Sequence, residues 1–473
     1  MFTKILAVQR DELFPPANMS DLHDLCKFGS RPVKREYVDQ LKHYLKAGIP
    51  STYTVEQAYK YTNNIEDDEE SSNTTPLHLI ASFMPEDATL EELEVIDEMV
   101  TILFEYGAGW CFTDINNETP GCILIRRNLK TTPIYQQIVD AGVRAELLLR
   151  KVGEFDMEVI EDTDDLNHEQ FQSVKIEEDE KKDDEDEKKD EDEKKDEDEK
   201  KDEDEKKDED EKKEEEDEET EEKEQDVKVN DPSDPAYNQA AYLETKLEYR
   251  ADALITKDAK DGVMMSWETN LMQKGCDTLF QKGSYIEPNE LDSEINVLNI
   301  GFGMGIIDSM IQKEKPTKHY ICEAHPDVLA KLKRDGWYEK PNVVILEGRW
   351  QDKLSDLLSS GSIFFNGIYY DTYSEHYQDM LELFDCIVGL LKPHGVFSFF
   401  NGLGADRQVI YEVYKKLVEL DLSNYGLNCK FTEVNVPDSQ LKESSDKSVW
   451  DDVKRSYWSC PIYYHPEVKF IDY

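Results

Sequence analysis

From residue 295 onward, short apolar runs alternate with stretches of helical spacing. Ile295, Val297, Leu298 and Ile300 have the length and β-branching of a buried strand, and the run ends in Gly301, Gly303 and Gly305. Ile306, Ile307 and Met310 then begin a helical period, so the stretch predicts a strand, a tight turn and a helix start. The pattern recurs. His319 to Cys322 reads as a short strand ending at Glu323, Val343 to Leu346 as a third, and Gly367 to Tyr370 as a fourth ending in Asp371-Thr372-Tyr373. A long helix follows up to Leu391, and Lys392-Pro393-His394-Gly395 turns into the strand Val396 to Phe400. Strands alternating with helices predict an α/β fold with a parallel, doubly wound sheet, whose functional side chains lie at the carboxyl ends of the strands. Upstream, Tyr242 to Leu254 reads as a helix, and a second helix runs toward Phe280.

The first third of the chain carries only the helical period. Thr75-Pro76-Leu77-His78-Leu79-Ile80-Ala81 precedes Val100-Thr101-Ile102-Leu103-Phe104-Glu105-Tyr106-Gly107-Ala108, and Asp114 to Pro120 opens a second copy. Asp140-Ala141-Gly142-Val143 and Tyr44-Leu45-Lys46-Ala47-Gly48 echo the closing phrase. This resembles ankyrin repeats, about three of them, near the minimum for a stable stack. The resemblance implies an all-α region over 20–150 that serves as a protein-binding surface or as a structural cap, with His78 in the repeat turn rather than in catalysis. Between 177 and 226 the chain repeats Lys-Lys-Asp-Glu-Asp-Glu and has no apolar pattern to bury. It is expected to be a disordered acidic linker, since nothing in it offsets the entropy of ordering. A second globular region is expected over 232–473.

Charge narrows the partners. Of the formal −51, about −22 falls between 177 and 226, so the rest of the 473 residues is acidic as well. Duplex nucleic acid, whose binding relies on basic patches, is excluded as a direct partner, and a basic protein is favoured. The eight cysteines contain no Cys-x-x-Cys pair, as expected of buried thiols in a reducing compartment, and no metal centre is expected. With no run of 18 apolar residues, the expectation is a soluble intracellular protein without a membrane span.

The chemistry concentrates at the glycine turn. Glycines there let the backbone approach a ligand, and the helix start offers free N–H groups. The spacing is Gly-x-Gly-x-Gly with Ile306 where a dinucleotide fold places its third glycine. Glu323, 22 positions after Gly301, stands where a carboxylate can accept both hydroxyls of a ribose. An adenosine-type cofactor follows. The other strand ends add Trp350-Gln351, Asp371 and Asn401-Gly402.

Leu390-Leu391-Lys392-Pro393-His394-Gly395-Val396-Phe397 is frequent in S-adenosylmethionine-dependent methyltransferases. Together, GVMMSWETNLM (262–272), NIGFGMGI (299–306), CEAH (322–325), GRWQD (348–352), YYDTY (369–373) and FFNGL (399–403) resemble the guanidinoacetate methyltransferase group. With ankyrin-like repeats in front, the chain resembles the fungal type IV protein arginine N5-methyltransferases, and the acidic array is the main departure. The resemblance implies a Rossmann-like domain that binds S-adenosyl-L-methionine and methylates the δ nitrogen of an arginine in a basic, ribosomal protein. It also implies a monomer working in cytoplasm and nucleus. It assigns Phe302, Gly303, Met304, Gly305, Ile306 and Ile307 to the cofactor's border, Glu323, Ala324 and His325 to its ribose, and Trp350 and Gln351 to its adenine. Tyr242, Met264 and Met272 cover the methionine side, although both methionines fit the core equally well. Asp371 borders cofactor and substrate alike, with Asn401 and Gly402 on the substrate side.

A guanidinium stays protonated above about pH 12, so its nitrogen attacks a methyl only when its charge is met and a proton can leave. Carboxylates do this, and Glu268 and Asp371 are the candidates, as clamp and base respectively. A small-guanidine methyltransferase, a non-catalytic scaffold and a dinucleotide oxidoreductase are the competing readings.

Overall fold

A computed structural model of the chain describes residues 18–63, 65, 71–161, 234–236, 238–281, 294–373, 376–441, 450 and 453–471, with side chains up to Val152 in the helix that ends at Glu161. The acidic array expected to be disordered over 177–226 lies outside the described residues.

The N-terminal part is all helical: α1 (Asp21–Leu25), α2 (Arg35–Lys46), α3 (Val55–Asn63), α4 (Pro76–Phe83), α5 (Leu90–Glu105), α6 (Pro120–Arg126) and α7 (Pro133–Glu161). The Thr-Pro-Leu-His phrase starts α4 for a local reason. Pro76 fills the first turn, where no N–H is needed, while Thr75 and His78 form a capping box with their hydroxyl and Nδ1 2.8 Å apart. Nε2 of His78 lies 3.2 Å from the Glu118 carbonyl at the start of the next copy, so this fully buried histidine ties one turn to the next. Thr119 and Pro120 start α6 the same way, with the Thr119 hydroxyl accepting from Cys122 N at 3.3 Å.

The second part contains α8 (Gln239–Glu244), α9 (Thr269–Leu279), α10 (Ile306–Lys313), α11 (Pro326–Arg334), α12 (Trp350–Ser360), α13 (Tyr377–Leu390) and α14 (Gln408–Asn424). Its strands are β1 (Leu247–Tyr249), β2 (Ala253–Thr256), β3 (Gly262–Met265), β4 (Asn296–Ile300), β5 (Lys318–Glu323), β6 (Val343–Glu347), β7 (Phe365–Tyr370), β8 (Leu391–Phe399), β9 (Leu427–Asn435) and β10 (Ile462–Phe470). Seven form one sheet in the order β6-β5-β4-β7-β8-β10-β9. The chain enters at β4, winds out to β6, crosses back to β7 and winds out the other way, as a doubly wound fold does. The pairs from β6 to β8 are parallel, but β10 runs antiparallel to both β8 and β9. The sheet is therefore mixed, where a parallel one was expected.

The predicted helix over Tyr242 to Leu254 is also corrected. Only α8 is helical, because Thr245 is extended and Leu247 N then donates to Asp327 Oδ2 at 3.0 Å, a tertiary bond that overrides the local period. The rest forms β1 and β2, which with β3 make a small antiparallel sheet.

Among the described residues, those up to Lys151 and those from 234 onward fold as one compact unit. The apolar core of α1 to α7 takes in Val409, Val413 and Leu417 of α14. Two glycines allow the approach: a Cβ on Gly121 would lie 2.6 Å from Val409 Cγ2, and one on Gly142 2.6 Å from Val413 Cγ2. Arg150 adds a polar tie, donating to Asp421 Oδ2 at 2.8 Å while stacked 4.6 Å from the Tyr377 ring.

Candidate functional site: two clefts that meet at Asp371

The crossing point of the sheet lies between β4 and β7, where the loops after the two strands part and leave a cleft. All five residues of β4 are buried, so the strand is fixed and its turn is delivered in one place. Gly301 has φ +91°, and a Cβ there would stand 1.8 Å from the Asp371 carbonyl oxygen. Only glycine brings these two loops together.

Glu323 ends β5 inside this first cleft. Its Oε1 accepts from Ala324 N (2.8 Å) and His325 N (2.7 Å), and its Oε2 from Phe302 N (2.9 Å). Burial pushes its pKa up while these amides pull it back. A carboxylate has about four acceptor sites, so capacity remains for a hydroxyl in the cleft. Tyr242 and Tyr373 form one wall with rings 4.8 Å apart, and Gly303, Met264, Ala324 and Trp350 line the rest. Both amide atoms of Gln351 are buried without a partner among the described residues. Gln351, expected at the adenine, does not line this cleft, whereas the Trp350 indole does and suits a purine face, and Glu323 suits a ribose, so the cleft residues fit an adenosine-type cofactor.

Other residues assigned to the cofactor serve the frame. The Phe302 ring turns into the core against Trp337 (5.3 Å), although its amide reaches Glu323. Met272 is fully buried and its sulfur faces the Tyr369 hydroxyl at 3.5 Å, which is the core reading of that residue. Met264 takes the cleft position instead, its sulfur accepting from Met304 N at 3.1 Å. Gly305, left-handed at φ +73°, precedes α10; Ile306 and Ile307 begin it and pack below the turn. His325 caps α11: its Nδ1 accepts from Asp327 N at 3.1 Å, so Nε2 carries the proton and donates to the carbonyls of Tyr242 and Thr245, each at 3.1 Å. Burial lowers the histidine's pKa and keeps it neutral.

A second cleft shares Val263, Asp371, Thr372 and Tyr373 with the first and is completed by Glu268, His376, Met380, Phe400, Gly402 and Tyr457. Glu268 is 2% exposed at the start of α9, and its Oε1 accepts from Met265 N at 3.2 Å and from the Tyr457 hydroxyl. Burial and the nearby Asp371 charge push its pKa well up. Asp371 is anchored by its amide, which donates to the Ile300 carbonyl at 2.9 Å; its Oδ2 is buried and has no partner among the described residues. Burial first, and the charge of Asp308 second, push its pKa up to about 7. Two carboxylates facing one cleft, Glu268 buried and Asp371 partly so with one oxygen unmet, form a site for a cation that brings several N–H groups.

The structure thus brings Glu268, Asp371 and Gly402 to one cleft and Gly303, Glu323, Ala324, Trp350, Met264 and Tyr242 to the other, with Asp371 in both. Asn401 lines neither: it is buried, and its amide donates to the Tyr464 carbonyl at 3.1 Å. Sequence reasoning missed Tyr457, Val263 and Phe400 as cleft residues. Tyr457 lies 189 positions from the carboxylate it meets, and no local pattern marks that pairing.

Comparison with known proteins agrees with this geometry. The family description of guanidinoacetate N-methyltransferase matches residues 237–437, which include the cleft residues apart from Ala236 and Tyr457. A protein arginine N-methyltransferase 2 of Debaryomyces hansenii is 62% identical over 464 residues, covering 96% of this chain and 100% of that protein. Its namesake in Saccharomyces cerevisiae is 48% identical over 467 residues, with the same coverages. In Aspergillus fumigatus the identity is 36% over 418 residues, covering 88% of this chain and 84% of that one. At these identities, sustained over nearly the whole length, the chain belongs to the fungal protein arginine N-methyltransferase 2 family.

Proposed function

We propose that the protein methylates the δ nitrogen of an arginine in a basic protein, drawing the methyl group from S-adenosylmethionine. The observation that carries this reading is the pair of carboxylates, buried Glu268 and partly buried Asp371, in a cleft that opens onto the one fitted to adenosine. When bound, S-adenosylmethionine supplies a methyl group on a sulfonium, whose sulfur keeps the electron pair as the methyl leaves. Glu323, Trp350 and the Gly301–Gly305 turn are the residues that would hold it. Glu268 and Asp371 meet the guanidinium with charge-assisted bonds to its far N–H groups, which leaves the inner nitrogen toward the first cleft. Asp371, with its unmet Oδ2, takes the proton that the attacking nitrogen releases. Phe400, Tyr373 and Tyr457 give the cleft aromatic walls that keep water from the pair and strengthen each contact.

One further observation favours a protein over a small guanidino acid. Among the described residues no lysine or arginine lines the second cleft, so the carboxylate of a free guanidino acid would find no basic partner there. An arginine within a polypeptide has no such carboxylate. The N-terminal helices, with their ankyrin-like turns, offer the docking surface, and the acidic charge favours a basic substrate such as a ribosomal protein of cytoplasm or nucleus. The test is to incubate the protein with labelled S-adenosylmethionine and basic ribosomal protein, hydrolyse the product and separate the methylarginine isomers. The δ isomer is expected. A product consisting of ω-methylarginine would overturn the assignment of the nitrogen, and the absence of any labelled arginine would overturn the reading as a whole.

A further inference from the structure

Two carboxylates in one cleft compete to stay ionised, and something must decide which of them holds the proton. In this site the two are met differently. Oε1 of Glu268 takes two donors, the Met265 amide and the Tyr457 hydroxyl, whereas Oδ2 of Asp371 takes none among the described residues. Building on the arginine methyltransferase reading, we propose that Tyr457 divides the labour: by donating to Glu268 it fixes that side chain as the anion that clamps the guanidinium, and it leaves Asp371 to accept the proton. The N–H bond of the guanidinium breaks, its electron pair stays on nitrogen, and the O–H bond forms on Asp371.

The position of Tyr457 is built rather than incidental. The segment carrying it is laced to the β2–β3 hairpin, with Lys454 N donating to the Lys260 carbonyl at 2.9 Å and Gly262 N to the Arg455 carbonyl at 3.2 Å. Arg455 adds an ion pair to Asp234 at 3.1 Å. The ring stands edge-on to Trp450 (4.8 Å) and Phe400 (6.4 Å), which fixes where the hydroxyl points. Burial and Glu268 both push the phenol's own pKa well up, so it remains a donor throughout the working range. Burial and Asp371 together hold the Glu268 pKa well up, and the Tyr457 donation pulls against both, so that an arriving guanidinium has less left to supply in completing the anion. The remaining titratable groups facing the pair do not offer the same service. Tyr369 and Tyr463 are buried with raised pKa values and direct their hydroxyls to Met272 and to the Phe399 carbonyl. Tyr370, Tyr373 and His376 also line the cleft. Asp308 acts only on Asp371, from a buried network with Asn299 and His319.

The test is the pH dependence of kcat/KM and, without cofactor, of arginine-peptide binding by calorimetry. In the wild type both should rise with pH through about 7 as Asp371 loses its proton. Tyr457→Phe keeps the ring packing and removes the donor, so the Glu268 ionisation should move up by about one pH unit, separating from an unmoved Asp371 limb near 7, and kcat should fall roughly tenfold. Replacing Tyr457 with 3-fluorotyrosine, a stronger donor of nearly the same size, should move the Glu268 ionisation the other way, which keeps the proposal testable should the Phe variant fold poorly. In a Glu268→Gln background the Phe change should alter peptide binding little, because the anion it served is gone. Unmoved pH profiles with kcat retained, or equal effects in both backgrounds, overturn the division of labour. Those outcomes leave the methyltransferase reading intact, since that reading fails only if the wild type labels no arginine.

Discussion

Replacing Asp371 with asparagine should abolish methyl transfer and yet make the protein more stable. The carboxyl loses its proton near pH 7 in the fold and near 3.8 in the unfolded chain. A carboxyl whose folded pKa is raised favours the folded state only while protonated, so stability falls as pH rises between those two values and stays low above them. At about 1.4 kcal/mol per pH unit the full loss is about 4.5 kcal/mol, and because the residue is only partly buried, about 2–4 kcal/mol is expected. Asparagine cannot ionise, and Oδ2 gives up no bond in the exchange. The variant's advantage should therefore grow by about 2 kcal/mol between roughly pH 5.5 and 8.5, a window that avoids the precipitation expected near the isoelectric point of 4.5. Urea unfolding of both proteins across that window, with labelled-methyl transfer measured in parallel, tests the reasoning. A variant less stable than wild type at the alkaline end, or a difference that does not change with pH, would refute it.

Three further outcomes follow from the same geometry. Glu323→Gln keeps the side chain's shape and most of the amide bonds to the turn but loses the charge, so calorimetry should find S-adenosylmethionine binding weaker by about 1–3 kcal/mol; unchanged affinity would remove Glu323 from the ribose site. Gln351→Leu should leave cofactor binding unchanged, because the side chain does not line the cleft, while stabilising the cofactor-free protein to melting, because the unpaired amide is gone; a loss of stability would mean that the amide is satisfied within the fold. Deleting 177–226 should leave turnover on a short arginine peptide intact and weaken binding of a whole basic protein at low salt; lost peptide turnover would show that the segment serves the site itself.

What could be read from the chain was the part governed by local rules. Ile295 to Gly305 shows a strand and its turn because β-branching and three glycines act over a few residues, and Glu323 follows because the fold repeats its offset. Glu268 and Asp371 were singled out at motif positions of the guanidinoacetate methyltransferase resemblance, by the chemistry that a guanidinium demands. The failures share a cause. β1 and β2 are three and four residues long, too short to show a period against a helical neighbour, and the bond from Leu247 N to Asp327 crosses 80 positions. Phe302 and Met272 have the composition of ligand contacts, but side-chain direction sends them to the core. Asn401 sits at a strand end, as a functional residue should, yet its amide is taken by Tyr464 across the sheet edge.

The seam between α14 and the N-terminal helices has a consequence for how the chain is made. Gly121 and Gly142 press against Val409 and Val413, so the helices that leave the ribosome first are completed by side chains synthesised about 270 residues later. Until then the apolar groove formed by α6 and α7 waits open, and it closes only when most of the sheet already exists. Burial of that groove and completion of the second cleft, which needs Tyr457, thus both wait for residues beyond 408. A chain interrupted before residue 409 would carry both an exposed apolar groove and an unfinished site, and quality control would meet it as a single kind of defect.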